Sequence, residues 1–146
     1  MTATAEPTLT DRPARCTVII GGESDLLRVR SALRSAAGRA GLGLTATTKV
    51  VTAGSELARN ILRYATAGQG VVSIDETAAG RRKGVRAEFA DNGPGIADLE
   101  QVMQDGYSTG GSLGIGLPGS RRLVDEFSID SAPGRGTTVV IGQWDS

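Results

Sequence analysis

Glu56 and Asn60 stand four residues apart in a segment patterned as a helix, so their side chains leave the same face one turn from each other. A carboxylate and a neutral amide oxygen so placed could divide phosphoryl chemistry between them. Asn60 can give an oxygen to Mg²⁺, while Glu56 can accept a proton from a water or hydroxyl that attacks a γ-phosphate. The same spacing also describes an ordinary solvated helix face or a local hydrogen bond. What separates the readings is the company these two residues keep along the chain.

That company is glycine. Asp91 ends an alternating apolar segment and is followed by Asn92, Gly93, Pro94 and Gly95. Its carboxylate can accept a hydrogen bond from an adenine amino group, or it can open a plain Asx turn. Gly93 and Gly95 would let the main chain pass close under a base, since no Cβ intervenes, though these residues also make an ordinary tight turn. A second loop holds Ser108, Thr109, Gly110, Gly111, Leu113, Gly114, Ile115 and Gly116, then enters a helix-like segment at Leu117, with Pro118 suited to its first turn. Loop amides leading into a helix N-terminus favour a phosphate. The loop lacks the Lys-Ser or Lys-Thr ending of a P-loop and does not follow the strand that a dinucleotide fold requires. Gly134, Gly136 and Thr137 form a third point, where a threonine hydroxyl entering a strand could reach an adenine edge through water, or where a hairpin simply turns.

The elements that must position these groups are legible in outline. Residues 1–13 carry few apolar anchors and read as a disordered tail, with a single folded domain expected over 14–146. Cys16–Ile20 reads as a strand. A helix capped by Ser24 follows, and a second helix runs from Thr45 to Ala65, with Gly54 a weak point inside it. Gly70–Thr77 and Val85–Ala90 alternate as a hairpin around a basic tip at 80–84. Short helices are expected over 98–104 and 117–126, and a terminal hairpin pairs Phe127–Asp130 with Thr137–Ile141. Helices and antiparallel strands are thus segregated, which predicts an α+β, two-layer sandwich with a mixed sheet covered on one face by helices. Cys16 reads as a core thiol and Trp144 as a residue packed at the sheet edge.

Composition narrows the chemistry further. The 146 residues include 16 basic and 16 acidic side chains, which cancel, so no global field draws the chain to nucleic acid or an anionic membrane. One cysteine and no histidine exclude a Cys/His zinc cluster and a histidine relay within the chain. A metal would need oxygen ligands, which points to Mg²⁺. No apolar run is long enough to span a bilayer and no secretory signal is evident, so a cytoplasmic location is expected.

The order of these stretches resembles a known superfamily. Glu56 to Asn60, Asp91 to Gly95, Gly114 to Gly116 and Gly134 to Thr137 look like the four nucleotide-binding boxes of the GHKL ATPases and kinases, over about residues 16–144. Ser55–Asn60, Gln104–Thr109, Leu113–Gly119 and Arg122–Phe127 look most like the RsbT-type switch serine kinases of the stressosome. The phenylalanine-rich lid segment of the histidine kinases is absent, as is any histidine to autophosphorylate. The resemblance implies a Bergerat-type fold binding Mg-ATP, with Glu56 as base, Asn60 on the metal, Asp91 on adenine and the loop around Gly114 and Gly116 as the ATP lid. It further implies a serine/threonine-protein kinase that phosphorylates STAS-domain proteins in a partner-switching stress response and, once released, activates a PP2C-type phosphatase. The alternative it leaves is an anti-sigma factor, a nucleotide-gated module that sequesters a regulatory partner.

Overall fold

A computed structural model describes residues 15–65, 69–96, 103 and 116–145. In chain order the elements are β1 (Arg15–Ile20), α1 (Ser24–Ala40), α2 (Leu44–Tyr64), β2 (Gly70–Ala79), β3 (Arg82–Asp91), α3 (Gly116–Leu123), β4 (Glu126–Ser131) and β5 (Thr137–Trp144). The strands form one sheet in the order β1-β2-β3-β5-β4. Every described pairing is antiparallel, so the sheet is not mixed as expected; hairpins β2–β3 and β4–β5 account for two pairings, and β3–β5 joins them. The helices expected over 98–104 and the loop over 108–115 fall outside the described residues, Met103 apart.

The helices lie on one face of the sheet because apolar residues line one side of every strand. Val18, Val72, Phe89 and Val139 share one row of the ladder, and all are buried. On the opposite face Ile19 and Val71 pair with each other and remain 68% and 40% exposed. Val29, Leu33 and Ala36 of α1 and Val50, Ala53, Leu57 and Ile61 of α2 recur at helical spacing and close the core from above. With few aromatic residues available, Phe89 is the largest fully buried side chain, and aliphatic residues fill the rest.

Local details depart from the expectations in four places. No side chain caps α1: Ser24 is its first helical residue, and the Asp25 carboxylate reaches back to accept from the N–H groups of Gly21 (2.9 Å) and Gly22 (3.1 Å), which precede the helix. The Gly21 N–H above all holds the Asp25 carboxyl below the ordinary carboxylate range. Gly54 is a contact point: a Cβ there would lie 2.3 Å from Leu33 Cδ1, so its absence lets α1 and α2 close over Phe89. Trp144 ends β5, an interior strand, with its indole N–H on Glu126 (3.1 Å) and Arg82 stacked 5.0 Å from its ring. Arg82 therefore belongs to β3, and the hairpin turn shrinks to Gly80 and Arg81. Cys16 is half-buried against the core, in keeping with a core thiol.

Candidate active site

Helix α2 runs between α1 and α3 and crosses β3 and β5, which puts its polar residues near the centre of the molecule. Glu56 is only 4% exposed. Its Oε1 lies 3.4 Å from Nη1 of Arg59, one turn on, and its Oε2 is buried with no hydrogen-bond partner among the described residues. Asn60 follows on the same helix and is half-buried. An open groove of about 640 Å³ between α1 and α2 reaches Glu56 and Arg59 past Arg30, Arg34, Thr48 and Thr52. Asn60, Asp91 and Thr137 do not line this groove, so Glu56 is reachable from a side separate from them.

The second cluster assembles where β3 stops. Asp91 is the last residue of β3 and pairs in register with Thr137, the first of β5, which in turn pairs with Ser131, the last of β4. Three strand ends thus present Asp91, Thr137 and Ser131 in one row, on the face that α2 covers. Asp91 Oδ1 accepts the Gly93 N–H at 2.7 Å, which realises the Asx-turn reading while leaving a second carboxylate oxygen. Ser131 Oγ donates to the Gly136 carbonyl (3.0 Å), accepts the Ile96 N–H (2.8 Å) and meets Thr137 Oγ1 at 2.7 Å. A serine hydroxyl has one proton, so with that proton on Gly136 the bond to Thr137 is donated by the threonine. Thr137 Oγ1 is then an acceptor toward anything that arrives beside Asp91.

The glycines of this region serve contact between the two turns. A Cβ on Gly95 would sit 2.0 Å from the Ala132 carbonyl, and one on Gly136, at φ +77°, would sit 2.1 Å from the Asp91 carbonyl. Gly134 N–H donates to the Pro94 carbonyl at 2.8 Å. The turn after β3 is therefore clamped onto the turn between β4 and β5. Gly93 is buried within it.

Gly116 and Leu117 open α3, which packs along α2; Ser120, fully buried, returns its hydroxyl to the Gly116 carbonyl at 2.9 Å. The candidates Ser108, Thr109, Gly110, Gly111, Leu113, Gly114 and Ile115 lie outside the described residues. The structure thus brings Glu56 and Asn60 together on one helix, and Asp91, Gly93, Gly95 and Thr137 together at one end of the sheet. Two residues of the site escaped sequence reasoning. Arg59 could have been found from its i+3 spacing to Glu56, whereas Ser131 is identified only by strand register, which no local pattern encodes. Among the described residues no group of three or more Asp, Glu, Cys or His could hold a metal by itself, and no helix is long and apolar enough to cross a membrane.

Comparison with known proteins identifies the family. The HATPase_c model, for histidine kinase-, DNA gyrase B- and HSP90-like ATPases, matches residues 45–145 and so takes in both clusters. The serine/threonine-protein kinase RsbT of Bacillus subtilis is 44% identical over 122 residues, spanning 84% of this chain and 90% of that protein. An anti-sigma F factor of Bacillus licheniformis is 35% identical over 97 residues, 63% of this chain and 65% of its own. The crystal structure of the RsbU and RsbW domains of a Mycobacterium tuberculosis protein aligns with a TM-score of 0.60 at 24% identity, covering 90% of this chain and 32% of that longer one, and so shares the fold. The chain belongs to the histidine kinase-, DNA gyrase B- and HSP90-like ATPase family, and within it to the RsbT-like serine/threonine-protein kinases.

Proposed function

We propose that this kinase transfers the γ-phosphoryl group of Mg-ATP to a serine or threonine of a STAS-domain protein and, once released, engages a PP2C-type phosphatase in a cytoplasmic partner-switching pathway. The observation that carries the reading is Glu56: a buried carboxylate with one oxygen unpartnered among the described residues, one turn from Asn60 and lining a groove on its other side. Leaving such an oxygen bare is costly unless a donor arrives, and the hydroxyl of a protein substrate is such a donor. Glu56 orients that hydroxyl and accepts its proton. Asp91, through the oxygen that the Gly93 N–H does not use, and Thr137, as an acceptor, hold the adenine edge directly or through water. Gly93 and Gly95 keep the turn beneath the base free of side chains.

The residues suit Mg²⁺ more than any metal that needs a protein cage. Asn60 would give one oxygen to a magnesium brought in by the nucleotide, an ion held largely by phosphates rather than by a protein cage, and the described residues offer no rival cluster. When bound, the metal neutralises charge on the phosphates. Ser108 to Leu117 would supply backbone amides to the same phosphates, with Gly116 and Leu117 at the entry to α3.

The test is phosphorylation of a STAS-domain protein by the chain and by Glu56→Gln, with γ-labelled ATP. Label on a serine or threonine that disappears in the variant, while nucleotide binding persists, is expected; transfer at the parental rate by Glu56→Gln would remove the role given to Glu56. The likeness to an anti-sigma F factor favours a second reading, a nucleotide-gated module that sequesters a transcription factor. Nucleotide binding with no transfer to any STAS protein, and co-purification with a sigma factor, would select it.

A further inference from the structure

We infer that Arg59 is the positioning residue of the transfer, acting through Glu56: its guanidinium holds one carboxylate oxygen so that the other is turned to the acceptor hydroxyl. The inference rests on Glu56 being the base. It starts from an asymmetry. Both oxygens belong to a side chain buried almost completely, yet Oε1 has Arg59 at 3.4 Å and Oε2 has nothing among the described residues. A buried carboxylate needs a compensating cation, and Arg59 supplies the ion pair recorded for it.

Arg59 is also the member of the pair that meets solvent. Its side chain is 37% exposed and lines the groove between α1 and α2, whereas Glu56 is reached at the groove's floor. The ion pair offsets part of the cost of burying Glu56, so Arg59→Ala is expected to lower the melting temperature as well. Its effect on transfer is geometric: it selects one rotamer of Glu56 and occupies one oxygen. The free oxygen then takes the proton of the serine or threonine hydroxyl as the new oxygen–phosphorus bond forms and the bond to the β-phosphate oxygen breaks, leaving ADP.

A double-mutant cycle separates this role from the alternatives. Arg59→Ala and Arg59→Lys are made in the parent and in Glu56→Gln, folding is checked by thermal melting, and ATP affinity is measured apart from single-turnover transfer. General bases contribute about 10²- to 10⁴-fold. Arg59→Ala is therefore expected to slow transfer by about tenfold or more with ATP affinity changed less than about twofold, Arg59→Lys to recover most of the rate, and Arg59→Ala to cost nothing further in Glu56→Gln. An equal loss in both backgrounds would overturn the inference and place Arg59 on the phosphoryl group itself; weaker ATP binding with an unchanged transfer rate would overturn it in favour of nucleotide contact. Full activity of Glu56→Gln would instead remove the base on which the inference rests.

Discussion

Ser131 and Thr137 meet hydroxyl to hydroxyl at 2.7 Å, and through Ser131 the chain ties the start of β5, the Gly136 carbonyl and the Ile96 N–H to one side chain. This residue holds together the end of the site proposed to take adenine, without being assigned any contact with the nucleotide.

Ser131→Ala leaves a backbone donor and acceptor unpaired in a half-buried position, which costs about 1–3 kcal/mol. Its thermal midpoint should fall, and ATP affinity should fall with it, because Thr137 and the turn after Asp91 lose their common anchor. Calorimetric melting together with nucleotide titration checks both; a destabilised variant with parental affinity would show that the turns hold their places without Ser131.

Gly136 and Gly134 form a matched pair for testing the clamp. Both have φ +77°, but only at Gly136 does a Cβ strike backbone, 2.1 Å from the Asp91 carbonyl, while at Gly134 it meets open space. Alanine at position 134 should cost about 1–2 kcal/mol for the left-handed backbone alone. At Gly136 the displacement of Asp91 adds roughly 1–3 kcal/mol more and should weaken ATP binding, which Gly134→Ala leaves intact. Equal effects of the two substitutions on affinity would contradict the proposed contact of Asp91 with adenine.

Asp91→Asn keeps the turn, since an amide oxygen still accepts the Gly93 N–H, but it replaces the second carboxylate oxygen with a donor. ATP affinity should drop about 10- to 100-fold, the equivalent of roughly 1.5–3 kcal/mol for a hydrogen bond to a charged group, with little change in melting temperature. Isothermal titration settles it: retained affinity would reduce Asp91 to its role in the turn.

The Asp25 carboxylate, bonded to the turn before α1, makes part of the fold's stability depend on pH. The Gly21 and Gly22 amides favour the ionised carboxyl, so its value in the folded chain lies below that in the unfolded one. Stability from this group is complete above the ordinary value of about 3.9 and is lost as pH falls through the lower, folded-state value. Asp25→Asn should therefore be less stable than the parent at neutral pH, and the gap should close on acidification below about pH 3.9. Denaturant unfolding at several pH values checks it, and a gap independent of pH would assign the loss to something other than charge.

How much of this was legible in the sequence depends on how local the cause is. The apolar spacing of Val29, Leu33 and Ala36, and the alternation of Val72, Ile74, Ala87 and Phe89, gave helix and strand because each pattern is written within one element. Glu56 and Asn60 were found the same way, since four residues on a helix define a face. Asp91 and Thr137 were both singled out as adenine contacts, but that they stand opposite each other is a matter of β3–β5 register, fixed by tertiary packing. The all-antiparallel pairing escaped for a related reason, because the β3–β5 join connects segments far apart in the chain. Ser24 reads as a cap because serine is favoured at that position, but it is the first helical residue and no side chain caps α1. Gly54 was misread because helix propensity concerns an isolated helix, and here the deciding neighbour is Leu33.

That same neighbour ties α1 to the helix bearing Glu56, the proposed base. Gly54 lies two residues before Glu56, and Leu33 fills the space its side chain would have taken, so α1 and α2 meet without slack. Close-packed interiors pass strain along rather than absorb it. A load on α1 at the groove's rim is thus passed, through Leu33, to the turn of helix that carries Glu56, so the seating of one helix and the aim of the carboxylate are set together.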